Sequence, residues 1–315
     1  MVLSFALAVA AIGVCVAVNR RAAAREAAAE ADYPPTGQII TVGGKRVHAE
    51  VFGRGPDLVL IHGASGNTRD WTFDIVARLQ DRFRVIVFDR PGLGWSDDLG
   101  LAGLSPIVQA EVLRTAAAEL GASKPIVLGH SYGGAVAMAW ALSAPNAAAA
   151  LVLAAGATMP WHGGLGPWYA ITSSRIGGAT VIPLITALAP LRSVETAIES
   201  IFTPDPVPSG YGHYVGAALT LRRRSMRTNA RQVDALKPWI IWMAQGYPGL
   251  NLPVEILHGT KDSIVPHLVH AEPLSRLLPD ANLTLLPGAG HMPHHSRQPE
   301  LIAAIDRAAV RAGLR

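Results

Sequence analysis

Short apolar runs of strand length, DLVLIHG, RVIVFD and PIVLGH, fall between residues 57 and 130. They are separated by stretches of helical spacing at 67–80, 106–120 and 132–143. Strand and helix alternating in this way predict a parallel sheet with helices on both faces. Upstream, GQIITVGGKRVHAEVFG alternates apolar and polar positions on either side of Gly43 and Gly44, the pattern of a hairpin. The run AALVLAA at 149–155 and two later ones, PVEILHG at 253–259 and NLTLLPG at 282–288, extend the sheet. A last helix is expected from about Pro299 to Ala312. Residues 158–250 differ in character: they carry Trp161, Trp168, Tyr169, Tyr211, Tyr214, Trp239 and Trp242, several prolines and apolar helical pieces such as VIPLITALAPL. They read as a helical lid inserted into a core of residues 37–157 and 251–315. No internal repeat is evident.

The N-terminus breaks the pattern. Val2 to Val18 contains no charge, and at helical rise it reaches roughly 25 Å, the low end of a bilayer span. A signal peptide wants positive charge ahead of the apolar run and a small-residue cleavage site after it, whereas Arg20, Arg21 and Arg25 lie downstream. The expectation is an uncleaved transmembrane anchor over residues 1–19, with the arginine side and the body of the protein facing the cytoplasm. Residues 20–36, helix-prone until Pro34 and Pro35, read as a linker that lifts the domain off the membrane. Cys15, the only cysteine, lies in the anchor and has no intramolecular partner, so it reads as a small buried hydrophobe.

Composition changes this picture little. Half the residues are hydrophobic and 16% are charged, which excludes a disordered chain. The net charge of +4 does not imply nucleic acid, because the arginines lack interleaved stacking aromatics. Arg222, Arg223, Arg224, Arg227 and Arg231 either approach anionic headgroups or form a solvated helix face. No histidine or cysteine cluster has metal-ligand spacing, so neither a metal nor an organic cofactor is expected.

Candidate chemistry centres on Ser131. Gly129-x-Ser131-x-Gly133 stands where an expected strand meets an expected helix, the setting of a nucleophile elbow; a glycine-rich turn at a helix start is the alternative. A serine needs a base and an orienting acid. Asp262, in LHGTKDSIVP, and His291, in LPGAGHMPHH, follow later strands, and in a parallel sheet such loops emerge at one edge. Among rival histidines, His258 ends a strand, His267 and His270 are expected on a helix, and His294 and His295 come too late to top the strand loop. An oxyanion hole would use the amides of Tyr132 and of Ala64, with Ser65 the neighbouring alternative. His62 is expected to fix that loop by hydrogen bonds, and Asn67 or Thr68 to cap the following helix. Ser65, Trp161 and Trp168 are candidate substrate contacts, although lid tryptophans are more often core.

The segments HGASGN at 62–67, DRPGLGWSD at 89–97, GHSYGG at 129–134, GTKDSIVP around Asp262 and GAGHMPHH around His291 carry a resemblance. From about Gly37 onward the sequence resembles the α/β-hydrolase superfamily, in its lid-bearing group of esterases and related hydrolases. The resemblance implies a mostly parallel eight-stranded sheet, Ser131 as nucleophile, His291 as base then acid, Asp262 as orienter, and a structural loop at Asp89 to Gly94. It implies a small-molecule ester as substrate, an apolar or lipid-like one given the lid and the anchor. Epoxide hydrolases and dehalogenases place an aspartate where this chain has Ser131, which argues against their chemistry. Carbon–carbon bond hydrolases and cofactor-free haloperoxidases share the serine triad and stay open, as does a non-enzymatic membrane-anchored binding module.

Overall fold

The computed structural model describes residues 2–315. The chain opens with one long helix, α1 (Val2–Asp32), followed by the hairpin β1 (Gln38–Val42) and β2 (Lys45–Phe52). Then come β3 (Asp57–Ile61), α2 (Arg69–Thr72), α3 (Ile75–Leu79), β4 (Arg84–Phe88), α4 (Pro106–Glu119), β5 (Ile126–His130), α5 (Tyr132–Ser143) and β6 (Ala150–Ala154). Seven helices form the insertion: α6 (Pro167–Ser173), α7 (Arg175–Leu188), α8 (Leu191–Phe202), α9 (Tyr211–Tyr214), α10 (Ala217–Thr220), α11 (Arg223–Asp234) and α12 (Leu236–Ala244). The core resumes with β7 (Val254–Gly259), α13 (Ala271–Leu277), β8 (Ala281–Leu286), α14 (Pro293–Ser296) and α15 (Gln298–Arg311). The expected elements are present, except that the helical stretch at 67–80 is two short helices interrupted at Phe73 and Asp74.

The eight strands make one sheet in the order β1-β2-β4-β3-β5-β6-β7-β8, parallel from β4 to β8, with β2 antiparallel to both β1 and β4. Alternate strand residues feed two apolar layers. Val59, Ile61, Ile86 and Phe88 pack with α4 and α5, whereas Leu58, Leu60, Val85 and Val87 pack with α2, α3 and α15. Ten of the twelve residues of α5 are buried, so the helix that follows Ser131 is held on all sides. Strand order reverses between β3 and β5, whose neighbours β4 and β6 lie on opposite sides. Crevices at such reversals, outside the carboxyl ends of the strands, are where open parallel sheets bind ligands.

Helix α1 corrects the expectation of a free spacer. It is unbroken through Asp32, about 46 Å long at helical rise, and is long and apolar enough to cross a membrane. Its first half is free of the domain: Phe5 is 72% exposed and Ile12 64%. Its second half is docked. Ala22 and Ala29 are buried, and Arg21 Nε donates to the Ala187 carbonyl at the end of α7. The Glu26 carboxylate receives the Arg223 guanidinium at 2.7 Å and the Arg223 backbone amide at 2.7 Å, while Glu30 pairs with Arg222 at 2.9 Å. Neither expectation for the arginine run therefore holds at Arg222, Arg223 or Arg227. Arg222 is 1% exposed and also donates to the Gly94 carbonyl, and Arg227 donates to the Gly178 carbonyl. The acidic partners on α1 lie almost two hundred residues upstream, beyond any local pattern.

Candidate active site

Ser131 stands between β5 and α5 with φ 52° and ψ −118°, a left-handed conformation that costs a non-glycine residue about 1–3 kcal/mol. Backbone bonds hold it there: its amide donates to the Ala154 carbonyl at 3.1 Å, and its carbonyl accepts from Gly134 at 2.9 Å and Ala157 at 3.0 Å. The flanking glycines are required by space. A Cβ on Gly129 would collide with the Gly133 carbonyl, and one on Gly133 with the Ile61 carbonyl. The elbow can sit this close to β3 only without those side chains.

The loop after β8 carries His291, 4% exposed, and the loop after β7 carries Asp262, 5% exposed. His291 Nδ1 lies 2.8 Å from Asp262 Oδ2. Asp262 Oδ1 accepts from the amides of Ile264 and Val265, each at 2.9 Å, which fixes the carboxylate plane. Burial alone would raise the Asp262 pKa, but hydrogen bonds from His258 and His291 and the Val265 amide outweigh it and hold the carboxyl well below its ordinary range. Asp262 is thus an anion. The Ser131 hydroxyl and His291 Nε2 have no hydrogen-bond partner among the described residues, and neither is among the fully buried unpaired atoms. Ser131 and His291 are brought near one another without a direct bond: His130, next to Ser131, packs its ring 4.9 Å from that of His291.

The loop after β3 runs beside Ser131. A Cβ on Gly63 would lie 3.0 Å from Ser131 Cβ. The Gly63 carbonyl faces inward, within 2.8 Å of His62 Nδ1 and accepting from Arg90 Nη2 at 3.1 Å. In a trans peptide the next amide, that of Ala64, points the opposite way. It has no acceptor among the described residues, and the Tyr132 amide, in the first turn of α5, is one of the donors a helix leaves unpaired. The alternative donor is not free: the Ser65 amide donates to Asn229 Oδ1 at 2.7 Å. His62 fixes this loop as expected, its Nε2 accepting from the Arg90 amide at 2.9 Å. Burial and the Arg90 charge lower its pKa to about 4, so it stays neutral. Thr68 occupies the N-cap position of α2 without a side-chain cap bond, and Asn67 Oδ1 accepts from the Arg69 amide at 2.9 Å instead.

Other candidates fare differently. Trp161 packs on the core with its ring 6.0 Å from that of His270, whereas Trp168 is 51% exposed on α6. His267 and His270 lie in the turn before α13 rather than on a helix. His270 Nδ1 accepts from the Met159 amide at 3.1 Å, and burial, then the charge of His258, lowers its pKa to about 4. Asp89 is structural, accepting from the amides of Thr68 at 2.8 Å and Trp95 at 2.7 Å.

Sequence reasoning missed two partners of these groups. His258 Nε2 lies 3.2 Å from Asp262 Oδ2, so one carboxylate serves two histidines. His294 and His295, set aside as too late in the chain, stand on α14 with their Nε2 atoms 3.1 and 2.9 Å from Asp70, which also accepts from the Tyr211 hydroxyl. Asp70, His294 and His295 hold their ligating atoms within 4.8 Å of one another, a grouping no sequence spacing announces. The other ring nitrogen of each histidine is buried without a partner, however, unlike the hydrogen-bonded second nitrogen of a metal-ligating histidine. Three hydrogen-bond donors around one buried carboxylate account for the cluster.

A strained serine turn at a sheet crossover, with a histidine and a carboxylate on the two later loops and a helical insertion between the serine and those loops, is an arrangement of the alpha/beta hydrolase fold. The alpha/beta hydrolase family matches residues 58–305, and the chain belongs to that family. An uncharacterized protein of Mycobacterium tuberculosis is 29% identical over 299 residues, 87% of this chain and 81% of that one. A pimeloyl-[acyl-carrier protein] methyl ester esterase of Nitrosomonas europaea is 29% identical over 267 residues, 82% of this chain and 98% of the relative. Among solved structures, an esterase of Rhodococcus sp. ECU1013 superposes with TM-score 0.67 at 22% identity, covering 87% of this chain and 98% of that one. A bacterial membrane phospholipase A superposes with TM-score 0.68 at 22% identity, covering 97% of each chain. At that identity the two structures speak for the fold alone.

Proposed function

We propose that this protein is a membrane-anchored serine hydrolase that cleaves carboxylic esters through an acyl-enzyme. Ser131 attacks the ester carbonyl while His291 Nε2 takes its proton. The amides of Ala64 and Tyr132 stabilise the oxyanion, and His291 returns the proton to the leaving alcohol. Water, activated by the same histidine, then releases the acid. The observation that carries this is the bond between His291 Nδ1 and the anionic Asp262, beside an elbow whose strained serine keeps a free hydroxyl. Asp262 keeps the imidazole in the tautomer with Nε2 free to accept. The esterase named among the relatives supports ester chemistry.

The arginines of the lid weigh against a carbon–carbon hydrolase acting on an acidic substrate. Arg222, Arg223 and Arg227 are engaged by Glu30, Glu26 and the Gly178 carbonyl. In this proposal α1 inserts its uncharged half into the bilayer, residues 37–157 and 251–315 form the catalytic core, and residues 158–250 form the lid. Trp161 is kept as a substrate contact, and an apolar acyl chain is the expected substrate part. Hydrolysis of p-nitrophenyl esters of increasing chain length by the full chain in detergent tests the proposal. Turnover abolished by Ser131→Ala and favouring longer chains is expected; turnover that survives Ser131→Ala contradicts it.

A further inference from the structure

The oxyanion loop is gripped from outside the core. Ser65 is a non-glycine residue at φ 58°, a conformation that neighbours must maintain. Both of its peptide groups are held by the insertion: its amide donates to Asn229 Oδ1 on α11 at 2.7 Å, and its carbonyl accepts from Thr220 Oγ1 on α10 at 2.9 Å. Two residues on, Asn67 Nδ2 donates to the Val215 carbonyl at 2.9 Å. On the core side the preceding peptide is fixed by Arg90, which donates to the carbonyls of His62 and Gly63. Arg90 in turn donates to Gln232 Oε1 of α11 at 2.9 Å, and Gln232 Nε2 donates to the Pro91 carbonyl at 2.8 Å.

Ala64 therefore sits between two pinned peptide planes. The plane ahead of it is set by Arg90 and the plane after it by Asn229. Its own N–H has no partner among the described residues, while the Gly63 carbonyl on the same plane and the Ser65 amide on the next are both bonded. Asn229 is 7% exposed, and its side-chain oxygen is committed to the Ser65 amide. Loss of that bond frees the Ala64–Ser65 plane, so that Ala64 is held on its N-terminal side alone and the plane that carries its N–H loses one of its two anchors, and it leaves the Ser65 amide seeking another acceptor.

We propose that Asn229, assisted by Thr220, is a positioning residue through which the lid aims the Ala64 amide at the oxyanion. This rests on the serine-hydrolase reading above. A lid acting in this way completes the reaction centre as well as covering it, because α10 and α11 belong to the insertion and not to the sheet. Donors aimed in advance at developing charge act on the transition state more than on bound substrate.

The test is steady-state kinetics of the full chain on a p-nitrophenyl ester, paired with inhibition by a trifluoromethyl ketone that adds to the serine as a tetrahedral oxyanion. Asn229→Leu keeps the volume and removes the acceptor. It is expected to lower kcat by about tenfold or more, with KM within threefold of wild type, and to weaken the ketone by the same factor, a loss smaller than deleting an oxyanion donor outright. Thr220→Val is expected to lower kcat less and Thr220→Ser to recover it, which supplies the answer should Asn229→Leu fail to fold. A loss confined to KM, or unchanged kcat and ketone affinity in folded Asn229→Leu and Thr220→Val, overturns the positioning role while leaving the serine mechanism intact. Folded wild-type protein that neither turns over the ester nor is modified at Ser131 by a fluorophosphonate overturns the mechanism and this role with it.

Discussion

His130 Nε2 lies 2.9 Å from the carbonyl oxygen of His291 and donates to it, so the residue before Ser131 is bonded to the backbone of the residue that would take its proton. The two rings also pack at 4.9 Å, and His130 rests on His294 at 4.3 Å and on Trp71. A strained elbow and a loop 160 residues away are thereby held at one spacing. Burial, then the charges of His294 and His291, push the His130 pKa well below its ordinary value, which keeps it a neutral donor.

His130→Phe preserves the ring and removes the donor. The His291 carbonyl then loses a buried partner, at a cost of about 1–3 kcal/mol in stability. Because a 1 Å displacement of the histidine loop is felt mainly in the chemical step, kcat is expected to fall about tenfold or more with KM little changed. Denaturant unfolding and steady-state kinetics on one preparation measure both effects.

Asp262→Asn keeps the shape and reverses the hydrogen bond. The Ile264 and Val265 amides hold the remaining oxygen, so the amide NH2 turns toward His291 Nδ1 and drives the ring proton to Nε2. A histidine protonated there cannot accept from serine. The loss in kcat is expected to be on the order of a thousandfold or more, with ester binding retained.

Stability should fall on mild acidification, before the carboxylates titrate. His62, His270 and His294 are held neutral, with pKa lowered to about 4, chiefly by burial. In the unfolded chain they take up protons below about pH 6.5. Between those values the unfolded state binds more protons, so stability declines by about 1.4 kcal/mol per pH unit for each such histidine. Asp262 and Asp70, whose pKa values are depressed, act lower: their contribution is complete above about pH 4 and is lost as pH falls through their folded values. Thermal unfolding between pH 7 and pH 5 is expected to show a marked drop; a flat profile contradicts the neutral assignment.

The docked half of α1 should stabilise the lid. Glu26 and Glu30 together accept from Arg223, its backbone amide and Arg222, and Arg222 has almost no other access to solvent. The double change Glu26→Gln and Glu30→Gln is expected to cost about 1–3 kcal/mol, because partly buried charge-assisted bonds exceed surface pairs. Faster amide hydrogen exchange confined to residues 215–234 is the signature. Unchanged exchange there would mean that the contact does not brace the lid.

Much of this was legible in the sequence, and the reasons are specific. Ser131, Asp262 and His291 follow strands whose apolar runs are unmistakable, and parallel topology alone carries strand ends to one edge. The Tyr132 and Ala64 amides, proposed as the oxyanion donors, lie just after two such strands, β5 and β3. What escaped were partnerships without local periodicity. Arg222 and Arg223 read as exposed because their acidic partners lie on a helix at the other end of the chain. His258 and Asp70 were silent because a second histidine on a carboxylate leaves no spacing to detect. Ser65 reads as a spare oxyanion donor in sequence, because Asn229, which accepts from its amide, lies in an insertion of irregular pattern 164 residues away.

The central claim is that Ser131 is the nucleophile. It is tested most directly by treating the full chain with a fluorophosphonate and measuring the intact mass and the modified peptide. Stoichiometric addition at Ser131 is expected, lost in Ser131→Ala and slowed severely in His291→Ala. Failure of the folded wild-type protein to be modified at Ser131 would contradict the account.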